Sequence, residues 1–445
     1  MMTRMGRQIN IGILGFGNIG TAVARNFLEN ELIIERRAGC ELRIAKIADI
    51  DLERERDINI DPSILTTDAM SVVNDPSIDI IIELIGGINP AGTFVVEALK
   101  RGKHVVTANK ALVAHSGAEL FALARENNVH LRFEASVGAG IPIIRSIQQA
   151  LAANSMNAIY GILNGTSNYI LTSMMQDKKD FKEALAEAQR LGYAEPDPSF
   201  DIEGIDTAHK IAILASLAFN QDIRIPDVVV QGITAIEQID MIYADELGYS
   251  IKLLGIARVD KEHNVSVFVI PTLVPEESLL ASVDGVYNGI MIDGVPVGKQ
   301  LYYGEGAGKG ATSSAVLSDV ISIARWLATT DVTNGQFPIS EEELPRIPVG
   351  ERHIKPHEEI ESPFYLRFSV MDRIGTMARL SKILADNDIS IASMIQKTIN
   401  PMHYATLIIV THRSKNRNIQ IATHEITKLD ICEKPPLILS VLERD

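Results

Sequence analysis

Between residues 9 and 28 the chain permits few folds. Ile9-Asn-Ile-Gly-Ile-Leu14 alternates as a strand does, Gly15-Phe16-Gly17-Asn18-Ile19-Gly20 follows without a spacer, and Thr21-Ala-Val-Ala-Arg-Asn-Phe-Leu28 continues as an amphipathic helix. A bare G-x-G-x-x-G is weak evidence. Set between a strand and a helix, it specifies the first turn of a Rossmann dinucleotide-binding unit. Gly15 makes the turn, Gly17 lets backbone approach a pyrophosphate, Gly20 lets helix and strand pack closely, and the helix start offers donors to the phosphates.

The next strand, Cys40-Glu-Leu-Arg-Ile-Ala-Lys-Ile-Ala-Asp49, follows a short charged insertion. Asp49 is the candidate for the ribose hydroxyls. An acid there repels a 2'-phosphate and favours NAD, yet Arg54 and Arg56 follow closely enough to fold over one, so NAD and NADP both stay open. A charged strand end is also normal at any surface. Ile78-Asp-Ile-Ile-Ile-Glu-Leu-Ile85 reads as a buried parallel strand closed by Gly86 and Gly87, residues 91–101 as a crossover helix, and His104-Val-Val-Thr-Ala-Asn-Lys110 as the next strand. Strands alternating with helices imply a doubly wound parallel sheet and an α/β fold. Ligands on such sheets sit beyond the carboxyl ends of the strands, where Asn109 and Lys110 fall; the plain alternative for Lys110 is an exposed loop lysine.

A second informative stretch runs from Gly192 to Lys210. Pro196 and Pro198 rule out a helix before residue 199, whereas Ile205 onward reads as a helix with hardly any polar face. Asp206 and Lys210, four apart, share a face continued by Ile213 and Leu217. An Asp and a Lys at that spacing are usually a solvated pair worth about 0.3 to 0.5 kcal/mol. An apolar helix surface offers no such water, and a buried charged pair, costing several kcal/mol of desolvation, tends to mark a site.

Leu131 to Pro142 is a strand running into a glycine-rich loop; its carbonyls with Glu134 can hold a monovalent cation or simply form a tight turn. Asn164-Gly-Thr166-Ser-Asn-Tyr-Ile-Leu171 brings hydroxyl and amide donors into a helix, either to anchor a substrate carboxylate or as an ordinary N-cap. Residues 225–300 suggest an open sheet able to carry a dimer interface. Tyr303-Gly-Glu-Gly306-Ala-Gly308-Lys-Gly310 opens onto a helix from Thr312 to Leu327 that can pack back on the first domain; Ala311 after Gly310 excludes a nucleotide-kinase P-loop. Residues 334–360, rich in Glu, Pro and His, read as a linker. Beyond it the order strand, helix, strand, strand, helix, strand is ferredoxin-like.

The formal net charge of -15 argues against nucleic acid or an anionic membrane as partner. The two cysteines, Cys40 and Cys432, form no metal-ligand pattern and suit a reduced compartment. The N-terminus lacks the marks of a signal peptide, and no run of about 18 apolar residues spans a membrane, so a cytoplasmic protein is expected.

Together, GFGNIG at 15–20, Thr107-Ala-Asn-Lys110, Glu134 to Pro142, Asn164 to Asn168, Gly192 to Pro198 and Gly204 to Lys210 resemble homoserine dehydrogenase, and the tail resembles an ACT domain, the regulatory module of the family's longer members. The resemblance implies the monofunctional form, with a Rossmann domain at 1–135 onto which helix 311–328 packs back, a central α+β catalytic and dimerisation domain at 136–310, the linker, and the ACT domain at 361–445. It implies reversible NAD(P)-dependent reduction of L-aspartate 4-semialdehyde to L-homoserine, an L-threonine effector and a homodimer or homotetramer. By resemblance Lys210 is the proton donor, Lys110 lies beside the nicotinamide and the substrate oxygen, and Glu195, Asp201 and Asp206 bind the ammonium or orient Lys210. Thr166 takes the carboxylate. Gly15, Phe16, Gly17, Asn18, Ile19, Gly20, Asp49, Lys110 and Gly306 bind cofactor, and Glu134 with the carbonyls of Val137, Ala139 and Ile141 forms a sodium site. Hydride delivery leaves an alkoxide that needs a proton, and a lysine made more acidic by burial suits that role. The turn Asp372-Arg-Ile374-Gly375 has Ile where many ACT domains have Pro, which weakens the effector expectation. Two other readings compete: an aldehyde dehydrogenase, which needs a cysteine nucleophile that neither Cys40 nor Cys432 is placed to supply, and a nucleotide-sensing protein with a degenerate site.

Overall fold

The computed structural model describes residues 8–329, 344–399 and 404–444. Gln8–Leu14, Glu41–Ala48, Leu65–Thr66, Ile80–Glu83, His104–Thr107 and Leu131–Arg132 form one six-stranded, wholly parallel sheet, with Gln8–Leu14 between Glu41–Ala48 and Ile80–Glu83. Buried Ile and Val fill these strands, as expected of a sheet covered on both faces. The charged insertion before the second strand is itself a helix, Glu31–Ala38. Lys110 is not the end of a strand. The strand stops at Thr107 because Asn109 caps a new helix, Lys110–Glu126, accepting the Leu112 N–H at 3.1 Å, so Lys110 stands in its first turn.

The helix Lys309–Thr329 returns to this domain, placing Val316, Val320 and Ile323 among Ile9, Ile11, Val23 and Phe27. Polar contacts lock it there, including Arg325 Nε to Arg37 O at 2.6 Å.

The central domain is built on antiparallel strands Ser155–Ile162, Tyr249–Val259, Val265–Pro275, Tyr287–Val295 and Gly298–Glu305, with the apolar helix Ile205–Phe219 packed on one face. The tail has the ferredoxin-like arrangement, with strands Phe364–Met371, Ile391–Ile399, Tyr404–Thr411 and Leu437–Val441 and helices Thr376–Asp386 and Asn416–Thr427. Its last strand also pairs in parallel with Val265–Pro275, Thr272 against Ser440 and Leu273 against Val441, which makes one ten-stranded sheet of the two modules.

Of the expected linker, residues 334–343 lie outside the described residues. The rest is packed chain rather than a free tether: Leu344 and Ile347 are buried in the main core, and Lys355 N–H donates to Val265 O at 2.9 Å. Those two apolar side chains anchor it. Residues 1–7, part of the segment judged to lack a signal peptide, also lie outside the described residues. Among the described residues no helix is long and apolar enough to cross a membrane.

Candidate active site

At the first glycine loop, Gly15 has a φ of +96°, and a Cβ there would stand 2.7 Å from the backbone of Leu84. A Cβ on Gly20 would stand 2.1 Å from Gly15 O, whereas at Gly17 it would meet nothing, so a ligand can approach that backbone. Helix Asn18–Glu29 starts with no acid in its first turn, and its free N–H groups carry the positive end of the helix dipole.

Asp49 ends its strand as expected, but its carboxylate is folded under the loop. Oδ2 accepts the Phe16 N–H at 2.5 Å, Oδ1 accepts the Asp51 N–H at 2.9 Å, and Arg56 lies 3.8 Å away. Arg56 also covers the Phe16 ring at 4.6 Å and donates to Phe16 O at 2.7 Å, while Arg54 donates to Asn18 Oδ1 at 2.8 Å. The adjoining cavity of about 260 Å³ is lined by four cations, Arg25, Arg54, Arg56 and Lys309, against two acids, Glu55 and Asp57.

The chain reaches the chemical end of the site in a few contacts. Gly15 abuts Leu84 and Ile85, and Asn109 holds the next glycine turn through Gly87 O at 2.6 Å, one residue before Lys110. From the other domain, Gly204 with a φ of +84° breaks the short helix Ser199–Ile202 from Ile205–Phe219, which sets Asp206 in the first turn of the long helix. Asp206, only 2 % exposed, receives Lys110 on Oδ1 and, on Oδ2, Lys210 Nζ at 2.8 Å and Asn164 Nδ2 at 2.9 Å. Burial alone would raise its pKa. The two ammonium groups win and hold the carboxyl well below the usual carboxylate range.

Lys210 is buried, and its Nζ also donates to Leu163 O at 2.6 Å. An ammonium has three N–H groups, so these two contacts leave one for a ligand. The buried reading of the Asp206–Lys210 pair therefore holds over the solvated one. Lys110 is half-buried above the Phe200 ring at 5.1 Å, and Phe200 in turn meets the edge of His209 at 5.5 Å. Asp201 accepts Asn164 Nδ2 at 2.7 Å and so joins the cluster. Thr166 is buried, but its hydroxyl donates to Tyr193 O at 2.7 Å and ties down the loop before Pro196. Glu195 is exposed and is not part of the bonded network of Lys110, Asp206 and Lys210 described above.

The glycine loop at 138–140 and the second one at 305–308 are bonded to each other. Ala139 N–H donates to Gly306 O at 3.0 Å and Gly140 N–H to Glu305 O at 2.9 Å, and Gly306 packs so tightly on Asn288 that a Cβ would stand 1.9 Å from its amide nitrogen. Glu134 lies beneath, accepting the Ile144 and Arg145 N–H groups at 2.9 Å each. Burial, helped by the neighbouring Asp319, pushes its carboxyl up to about 7. Among the described residues no group of three or more His, Cys, Asp and Glu is placed to hold a metal ion.

Sequence reasoning put Asn164 among general donors but missed its bridging position, and it missed Phe200 and the Leu163 carbonyl altogether. The N-cap position of Asn164 was the available signal; the other two depend on tertiary packing alone.

Three family profiles match: "Homoserine dehydrogenase, NAD binding domain" at 15–134, "Homoserine dehydrogenase" at 142–321 and "ACT domain" at 364–420. A homoserine dehydrogenase of Neisseria gonorrhoeae is 41 % identical over 429 residues, covering 96 % of this chain and 97 % of that one. The crystal structure of a homoserine dehydrogenase from Thiobacillus denitrificans superposes with a TM-score of 0.90 at 40 % identity, covering 99 % of this chain and 100 % of that one. A hyperthermophilic archaeal homoserine dehydrogenase in complex with NADPH gives a TM-score of 0.58 at 28 % identity over 71 % of this chain and 98 % of that one.

Proposed function

Because this chain belongs to the homoserine dehydrogenase family, we propose how its residues share out the reversible NAD(P)-dependent reduction of L-aspartate 4-semialdehyde to L-homoserine. The nicotinamide, when bound, supplies the hydride that converts the aldehyde carbonyl to an alkoxide. Lys210 gives that oxygen the proton from its remaining N–H, and in the reverse direction takes it back. Asp206 holds Lys210 and Lys110 in place; Lys110 faces the cofactor edge and stabilises the developing oxyanion. Asp201 binds the substrate ammonium with Glu195, and Thr166 donates its O–H to the substrate carboxylate in place of Tyr193 O. The observation that carries this assignment is the carboxylate of Asp206 held between two lysines from different domains.

Gly15 to Gly20 hold the pyrophosphate and Gly306 touches the cofactor from the opposite loop. Asp49 braces the glycine loop, so its oxygens are engaged before ribose arrives, and the Arg25, Arg54, Arg56 and Lys309 cavity favours a 2'-phosphate. NADP is therefore the preferred cofactor. NADPH in the archaeal relative is consistent with that preference.

The oxygen-only set of Glu134 and the carbonyls of Val137, Ala139 and Ile141 suits a hard monovalent cation such as sodium, which would relieve the charge of a carboxylate buried near Asp319. Units at 1–135, 136–310 and 361–445, a homodimer or homotetramer through the central sheet, a cytoplasmic location and threonine as the tail's effector complete the reading. Homoserine-dependent reduction of NADP and of NAD, with and without threonine, tests it: activity with NADP above NAD is expected. No activity with either cofactor overturns the dehydrogenase reading in favour of a nucleotide-sensing protein.

A further inference from the structure

We propose that Asn164 is a positioning residue for proton transfer: its amide, oriented by the helix it caps, fixes Asp201 and Asp206 around Lys210. This rests on Lys210 as the proton donor.

Asn164 is 6 % exposed and is the N-cap of helix Gly165–Gln176, where Oδ1 accepts the Ser167 N–H at 2.8 Å. With the amide oxygen fixed there, the NH₂ group has one direction left. It donates to Asp201 Oδ1 at 2.7 Å and Asp206 Oδ2 at 2.9 Å. The preceding carbonyl, Leu163 O, takes Lys210 Nζ at 2.6 Å, so two consecutive residues grip both members of the buried ion pair. A further bond, Ser167 Oγ to Asp201 O at 2.8 Å, fastens the same helix start to the backbone of the second acid.

Capping alone does not call for asparagine, because serine and aspartate cap about equally well. An acceptor on one side with two donors on the other is what this position uses. Serine keeps the acceptor and loses the reach to both acids. Aspartate keeps it too, but sets a third carboxylate against Asp201 and Asp206.

The charged and titratable groups around Lys210 are Asp206 and His209 on its own helix, Lys110 from the first domain and Asp201 from the short helix before it. Asn164→Ser and Asn164→Asp are compared with the parent in thermal unfolding, in kcat and KM for homoserine, and in the pH profile of kcat. Asn164→Ser should unfold near the parental temperature and Asn164→Asp below it, while kcat falls about a hundredfold in each, the size of effect that misplacing a reacting group by about 1 Å produces. In Asn164→Asp the added negative charge favours the ammonium form of Lys210, so the limb for homoserine oxidation that needs its neutral amine moves to higher pH. Either variant keeping kcat within about threefold of the parent, or the Asp variant leaving that limb unmoved, overturns the proposal. Lys210→Ala measured alongside separates the two levels. If it keeps its turnover, the donor assignment falls and this inference with it; if it is inactive while Asn164→Ser turns over normally, only the role of Asn164 is overturned.

Discussion

Arg367 of the tail lies in ion-pair contact with Asp240 of the central domain, Nε to Oδ1 at 2.8 Å, and Tyr365 donates its hydroxyl to the same oxygen at 2.9 Å. Asp240 is fully buried, and burial raises its pKa in spite of the guanidinium. Replacing Arg367 by Met leaves that carboxylate without its counter-charge, a change that costs about 3–5 kcal/mol where buried pairs have been broken. Because the folded state then prefers a protonated Asp240, stability lost at neutral pH returns as pH falls. Urea unfolding at pH 7 and pH 5 checks both parts; a deficit that is absent, or equal at the two pH values, refutes the account.

The same junction governs truncation. Removing residues 361–445 strips Leu437–Val441 from the edge of Val265–Pro275 and uncovers Asp240. The shortened chain is expected to aggregate or lose activity before any question of threonine arises. A soluble, fully active fragment by size-exclusion chromatography and assay would show that the strand pairing is dispensable. Threonine response is better tested by substitution at Arg373 or Ile374, on the exposed turn of the intact tail.

Lys210→Ala should lower turnover about a hundredfold or more while NADP binding, followed by fluorescence titration, stays close to parental, since general-acid groups contribute about 10²–10⁴-fold. Turnover within about threefold of the parent removes Lys210 from the role.

Arg54→Ala should raise the KM for NADP about tenfold or more and leave that for NAD nearly unchanged, because a charge-assisted hydrogen bond contributes about 1.5–3 kcal/mol. Equal changes for both cofactors would mean that the arginine serves the loop and not the phosphate.

Sodium should raise the melting temperature more than choline at the same ionic strength, and more at pH 8 than at pH 6. Glu134, its carboxyl pushed up to about 7, is an anion at the higher pH and protonated at the lower. Identical melting curves in the two salts would exclude a cation on Glu134.

His130 meets Trp326 edge to face at 4.9 Å, and burial, then His104 and Arg132, push its pKa down to about 2. The unfolded chain takes up the proton first, so its contribution to stability is complete above about pH 6.5 and is lost as pH falls below that. Unfolding followed by the fluorescence of Trp326 should show a smaller acid loss in His130→Phe than in the parent. An equal loss would place the acid sensitivity elsewhere.

Local rules made much of this legible. Gly20 is forced by the Gly15 carbonyl within the same turn, Gly15 by its own positive φ, and Asp206 and Lys210 meet because four positions make one helical turn. The partner of Asp206 on its other oxygen, Lys110, lies on the far side of the domain junction, where no local periodicity points. The bond of Thr166 to Tyr193 O likewise depends on how a distant loop returns, and Asp49 looked free for ribose because a sequence does not show which way a strand-end carboxylate turns. The fused sheet was hidden for the same reason: pairing between Thr272 and Ser440 is a choice of register made across most of two modules.

Leu437–Val441 also joins the tail to a central strand, Val265–Pro275, that is synthesised long before it. Until Leu437–Val441 has left the ribosome, Thr272 and Leu273, beyond the stretch of Val265–Pro275 that Val229 and Val230 already cover, must wait with their outer amides and carbonyls unpaired. A nascent chain halted anywhere in the tail would thus carry a nearly complete catalytic half with an adhesive border.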